Sequence, residues 1–219
     1  MKINVKKRKT MAIANTNKEI KLQIDNIPVE QVKFFNYLGQ VITEDARCEK
    51  EIRKRIAMAK QKFKDMYTKK TLKLDLRKRI LKAYVWTVAL YGAETWIIIK
   101  TTKQKLEAFE MWCWRRLEVI SWMERKTNIE VLQQVGESRE IMKIITIRRL
   151  RWMGHVMRHP GLMHDMIEGK IPGKRGRGRP RCTLIAHLLN DTGSFNFAEL
   201  KKTAEERLRW KLIIKGVTS

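Results

Sequence analysis

Long apolar runs, paired cysteines and acidic residues are what this 219-residue chain lacks. No stretch approaches the ~20 consecutive apolar residues a membrane span needs. The basic, alternating N-terminus "MKINVKKRKTMAIA" has no apolar core of a signal peptide, so a nuclear or cytoplasmic protein is expected and a secreted one is not. Three cysteines, Cys48, Cys113 and Cys182, lie far apart with no CxxC pair, which excludes a zinc ribbon and a disulfide framework. Acids number 23 against 48 Lys and Arg, a net charge of +25. An enzyme of small metabolites has no use for such a field, whereas a polyanion partner explains it.

Catalytic signatures are missing as well. No P-loop, GxSxG or Cys/His pattern occurs. The six aspartates, Asp25, Asp45, Asp65, Asp75, Asp165 and Asp191, are scattered with no adjacent pair, although two-metal phosphoryl transfer needs clustered carboxylates. His155 and His159 stand four apart, with His164 and Cys182 beyond. The glutamate of HExxH is absent and Pro160 limits the helix, so no metal is expected there.

What is present is a folded, largely helical pattern, 43% hydrophobic. The first forty residues read as short strands, with a turn at Asn15–Lys18 and a hairpin broken by Gly39. Ile52, Ile56, Ala59, Phe63 and Met66 then mark one face of a helix, while Lys50, Arg53, Lys54, Lys60 and Lys64 mark the opposite one. A second helix is predicted from Leu74 to about Ala93, with Leu76, Ile80, Tyr84, Val88 and Tyr91 inward. Thr101 with Gln104, Thr127 with Glu130, and Ser138 predict three further N-termini. Beyond an arm rich in Gly, Pro and Arg, the tail reads as two helices. The expected class is α+β, mostly α-helical. The expected division is a β region at 1–43, a helical domain at 44–122, a helical region at 123–167, a basic arm at 168–181 and a helical tail at 182–219.

Three features point to nucleic acid. Between Arg47 and Lys82 fifteen cationic residues meet four acids, the one-signed surface a phosphate backbone needs. Seven tryptophans include several beside arginines, as in "WCWRRLEVISW". Most of them suit a core, and exposed ones suit base stacking. The arm "GKRGRGRPRC", Gly173–Cys182, carries an AT-hook-like peptide in which Arg177, Arg179 and Arg181 would enter a narrow minor groove. An autonomous architectural DNA-binding protein is therefore the alternative reading.

The segments "FFNYLGQVIT", "EIRKRIAMAKQKF", "LRKRILKAYVWTVALYGAETW", "RRLRWMGHVMRHP", "GRGRPRCTLIAHLLND" and "AEERLRWKLI", in this order, resemble the C-terminal part of a non-LTR retrotransposon reverse transcriptase (LINE-like, jockey- or RTE-like). The resemblance spans nearly the whole chain. It implies the end of a palm, a primer grip at Phe35, Tyr37, Leu38 and Gly39, a thumb from Asp45 to about Lys100, and a tail. The thumb cations would be Arg53, Lys54, Arg55, Lys60, Lys64, Arg77 and Lys78. Lys7-Arg8-Lys9 stands where the family has a "KTK" segment, making Lys9 the candidate lysine for the leaving group. The family's Mg²⁺-holding aspartate pair would precede Met1. The chain is therefore expected to need no cofactor of its own, to bind RNA and DNA as template-primer duplex, and to be inactive alone.

Overall fold

The computed structural model describes residues 8–13, 19–66, 72–169 and 183–218. The turn expected at Asn15–Lys18, Lys7, Cys182 and the arm arginines Arg177, Arg179 and Arg181 lie outside the described residues. The fold is α+β and mostly helical, as the sequence pattern predicts.

The described residues of the N-terminal region form three small two-stranded ladders. β1 (Lys9–Thr10) runs parallel to β4 (Glu30–Gln31), and β2 (Gln23–Ile24) pairs antiparallel with β3 (Ile27–Pro28). β5 (Phe34–Tyr37) and β6 (Gln40–Thr43) form the longest hairpin, in the register Phe35↔Ile42 and Tyr37↔Gln40. Leu38 and Gly39 make its two-residue loop with φ of 47° and 80°, the left-handed pair that matches strand twist in a tight hairpin. Leu38 bears the steric cost of that turn; Gly39 does not.

Asp45 closes the hairpin into the first helix by accepting hydrogen bonds from the Thr43 hydroxyl and the Arg47 N–H. α1 (Glu49–Met66) comes next, with Glu49 and Glu51 in its first turn where the helix dipole favours acids. Its apolar face buries Ile52, Ala59 and Phe63.

The second predicted helix is in fact three pieces. α2 (Leu74–Ile80) passes into a π-turn at Leu81–Val85 and then into α3 (Trp86–Ala89). The wider turn rotates the residues after it about the helix axis, so the buried set is Leu81, Val85, Trp86, Ala89 and Leu90. Leu76, Tyr84 and Tyr91, predicted inward, are 45%, 58% and 48% exposed.

α4 (Lys100–Leu117) starts two residues earlier than Thr101 and Gln104 suggest. The Ile99 N–H donates to Thr102 Oγ1 at 3.0 Å, so Thr102 rather than Gln104 closes the helix start. α5 (Asn128–Val135) has the expected Thr127/Glu130 box and ends at left-handed Gly136. α6 (Ile141–Arg158) is not capped by Ser138. Glu110 of α4 does this across the core, its Oε1 accepting the N–H groups of Glu140 at 2.7 Å and Ile141 at 3.2 Å.

α7 (Leu162–Glu168), α8 (Leu184–Thr192), α9 (Phe197–Glu205) and α10 (Arg207–Thr218) complete the order. The tail segment predicted as one helix after Phe197 breaks at Glu206, whose φ and ψ of −78° and 93° are extended. That break folds α10 back onto α6.

Two cores share α6. Ile141 and Ile145 sit in the first with α1, α3, α4 and α5. Leu150, Met153, Val156 and Met157 sit in the second with Leu188, Leu200, Ala204 and Trp210 of the tail. Trp210 lies against Gly154, where an added Cβ would come within 2.3 Å of the indole nitrogen, and its N–H donates to Leu150 O at 2.8 Å. Buried Arg149 joins the two cores, reaching Trp96 O at 3.1 Å and Asp191 at 2.9 Å. Trp86, Trp96, Trp114 and Trp210 are core, as most of the tryptophans were expected to be; Trp112 and Trp152 are half-buried, and Trp122 is 86% exposed.

Candidate nucleic-acid interface

The hairpin tip and two helices meet at one point, and the meeting explains why "YLG" and "LYGAETW" occur together. Arg55 of α1 donates to Gly39 O at 2.7 Å and lies over the Tyr91 ring, its guanidinium carbon 4.3 Å from the ring centre. The Tyr91 hydroxyl reaches Leu38 O at 3.5 Å. Gly92, at φ 69°, lets the Gln40 side chain approach so closely that a Cβ would lie 1.7 Å from its nitrogen. Glu51 completes the clamp, accepting from Val41 N at 2.7 Å and from Arg55 at 2.6 Å. Held from behind, the tip presents Tyr37 and Leu38 outward, 57% and 76% exposed, while Phe35 is half-buried.

The cations then separate into two populations that the sequence pattern could not distinguish. The first is structural. Arg55 is buried against Glu51. Arg77 donates to Leu117 O at 2.7 Å at the end of α4, and Lys78 to Val135 O at 2.8 Å at the end of α5. Arg148 reaches Leu90 O after α3, and Arg158 reaches Ala204 O near the end of α9. Each places its positive charge on carbonyls at or near the end of a helix or turn, where the dipole favours it. Arg55, Arg77 and Lys78, predicted as phosphate contacts, are thus committed to the fold: each is bonded to a backbone carbonyl within it.

The second population is outward. Lys50, Arg53, Lys60 and Lys64 fall at i, i+3, i+10 and i+14 along α1, one strip of helix surface about 21 Å long at 1.5 Å per residue. Lys50 stands over the Phe34 ring beside the hairpin. Arg53 holds Glu49 at 2.6 Å in an exposed pair that opens at little cost. Lys60 lies over the Trp112 ring. Lys54 lies outside this strip and binds Asn36 Oδ1 and Gly39 O, both at 3.3 Å. Lys50 was not among the predicted contacts, although its spacing from Arg53 and Lys60 marks it.

At its far end the strip opens into a cleft of about 1010 Å³ between Phe63 and Lys64 of α1, Trp112, Arg115 and Arg116 of α4, and the loop through Trp122 to Lys126. Among the described residues no carboxylate lines it. Glu124, next to the rim, is drawn into the loop by Lys126 at 2.8 Å and by Ser121 N at 2.7 Å, which holds its carboxyl below the ordinary value.

Lys9, the candidate leaving-group lysine, is paired with Glu30 at 3.2 Å in the β1–β4 ladder. The aspartates remain on separate elements: Asp45 caps a turn, Asp65 accepts from Gln61, Asp75 pairs with Lys78, and Asp191 with Arg149. They do not fit the paired-metal site of a polymerase. His155 and His159 stack at 4.2 Å, with the His159 Nδ1 on the His155 carbonyl. His164, Asp165 and Glu168 bring one ligand atom each within 4.8 Å of one another, but the Lys201 ammonium is bonded to Glu168 and already supplies the positive charge there.

Among the described residues no helix is long and apolar enough to cross a membrane. The class defined by the fold is α+β, mostly helical. Compared with known proteins, the chain matches no protein-family model, no curated protein and no solved structure.

Proposed function

We propose that the chain is a nucleic-acid-binding module that holds a template-primer duplex, corresponding to the end-of-palm, primer-grip, thumb and tail portion of a retrotransposon RNA-directed DNA polymerase. The carrying observation is the outward strip of Lys50, Arg53, Lys60 and Lys64, continuous with the braced hairpin tip that exposes Tyr37 and Leu38. A one-signed ridge beside a rigid hairpin suits a duplex end: phosphates track the ridge, and the tip abuts the terminal nucleotide. Polymerase chemistry does not belong to this chain in the proposal, because its aspartates are spread over separate elements, with Asp45 in a turn cap and Asp191 in an ion pair.

The test is salt-dependent binding of a recessed RNA–DNA hybrid and of an A·T-rich DNA duplex. Replacing Lys50, Arg53, Lys60 and Lys64 with Gln should weaken hybrid binding and flatten the log–log salt slope by about 3.6, at about 0.9 per phosphate contact. Replacing Arg177 and Arg179 with Ala should change hybrid binding less. If the arm substitutions abolish binding and the A·T-rich duplex is preferred, the chain is instead an architectural DNA binder. Primer extension with Mg²⁺ and nucleotides should yield no product.

A further inference from the structure

The cleft at the end of the α1 strip has a composition the duplex ridge does not share. Its floor is apolar and aromatic, formed by Phe63, Trp112 and Ile120, while Lys64, Arg116 and Arg125 stand around it without an ion pair among the described residues. Trp112 is braced rather than free: its ring meets Phe63 edge-on at 5.2 Å and stacks on Phe109 at 6.3 Å. Lys60 and Arg116 both lie over it, at 5.1 and 5.7 Å. Trp122 is the opposite case, an indole 86% exposed at the rim with nothing in the core to hold it outward. The backbone presents it. Ser121 caps a single 3₁₀ turn at Trp122–Glu124, flanked by Val119 and Arg125 at φ of 57° and 48°, conformations non-glycine residues rarely take.

We propose that this cleft receives unpaired nucleotides of a single strand, with a base stacked on the exposed Trp122 above the apolar floor that Trp112 helps to form, and phosphates held by Lys64, Arg116 and Arg125. The inference rests on the nucleic-acid reading above and adds a second ligand geometry to it. Stacking platforms interleaved with cations are how single strands are held without sequence preference, since every base offers a π-face and each linkage a charge. A duplex keeps its bases stacked on one another and has no use for an exposed indole. An acidic peptide would match the charge but leaves the exposed indole of Trp122 without a function. The volume, about 1010 Å³, stands at the upper end of the roughly 300–1,000 Å³ of pockets for small ligands, ample for more than one nucleotide.

The experiment is fluorescence anisotropy on the full chain with three probes: a short oligothymidylate, a blunt RNA–DNA hybrid and a polyglutamate peptide. Because Trp122 is exposed, Trp122→Ala should leave the thermal midpoint unchanged. It should weaken the oligothymidylate by between about fivefold and a hundredfold, with Trp122→Phe restoring most of the loss. The blunt hybrid should bind as before. Arg116→Ala with Arg125→Ala should lower the single-strand salt slope by about 1.4, at about 0.7 per contact. Unchanged oligothymidylate binding in Trp122→Ala, with hybrid binding still lost on removal of the α1 strip, overturns the cleft and leaves the duplex reading standing. Polyglutamate binding that is as tight and as sensitive to Trp122 overturns it in favour of an acidic protein. No binding of either nucleic acid by the intact chain overturns both readings.

Discussion

Arg55 and Glu51 form a buried ion pair one turn apart on α1, 2.6 Å between Nε and Oε1, and each also bonds the backbone of the β5–β6 hairpin. The pair is a bolt between helix and hairpin. Charges in such a site are stabilising only while both partners and the hydrogen bonds around them are present.

Arg55→Ala therefore strands the buried Glu51 carboxylate and leaves the Gly39 carbonyl with only the longer bond from Lys54. The expected loss is about 3–5 kcal/mol in urea unfolding. Any nucleic-acid affinity that survives at low temperature should keep its salt slope, since Arg55 reaches no phosphate. A flattened slope with unchanged stability would place Arg55 on the surface after all.

Arg77 and Lys78 cap the C-terminal carbonyls of α4 and α5. Replacing either with Met should cost about 1–3 kcal/mol, the loss of a charged hydrogen bond to a largely buried carbonyl. Lys64→Met, on the exposed strip, should cost almost nothing in stability yet reduce hybrid affinity. Paired urea and anisotropy titrations separate the two classes.

Glu110 is buried where it caps α6, and burial, outweighing its two backbone hydrogen bonds, raises its carboxyl above the ordinary 4.5. An acid with a raised native pKa binds more protons folded than unfolded between the two values, so stability falls as pH rises through that window. Glu110→Gln, which retains an acceptor oxygen, abolishes this slope. The stability of the parent relative to Glu110→Gln should decline with pH above about 4.5 and level off above the raised value. A difference that grows with pH would show the backbone donors outweighing burial.

Gly92→Ala meets two obstacles, a left-handed backbone and the Gln40 side chain 1.7 Å from the new methyl. The strained backbone alone should cost about 1–3 kcal/mol, and Gln40 must also swing away. Gly92→Ala with Gln40→Ala removes the clash but keeps the backbone cost, so the double variant should recover part of the loss and never all of it.

Legibility tracked the range of the physics involved. α1, α4 and α5 were readable because their apolar stripes and, for α5, the Thr127/Glu130 box are local. The hairpin at Leu38–Gly39 was readable for the same reason. The π-turn at Leu81–Val85 was not, because a single wider turn leaves no composition signal and yet exposes Tyr84 and Tyr91. The cap of α6 was missed because it comes from Glu110, thirty residues away. Of the candidate site, the strip residues Arg53, Lys60 and Lys64 were legible from spacing. "WCWRRLEVISW" was legible as a segment of aromatic and basic residues, but which of its tryptophans is exposed, and that Arg125 shares a cleft with it, were not.

Sequence alone determined the charge excess, the mostly helical class and the amphipathic face of α1, since these depend on composition and on periods of a few residues. Tertiary structure decided which cations are free. Arg55 and Lys64 are both basic residues of the same helix, nine positions apart, and nothing local separates them. One meets a buried glutamate and a hairpin carbonyl; the other meets an aromatic cleft and solvent. The difference lies in what other elements bring within hydrogen-bond distance, and only the folded chain sets that.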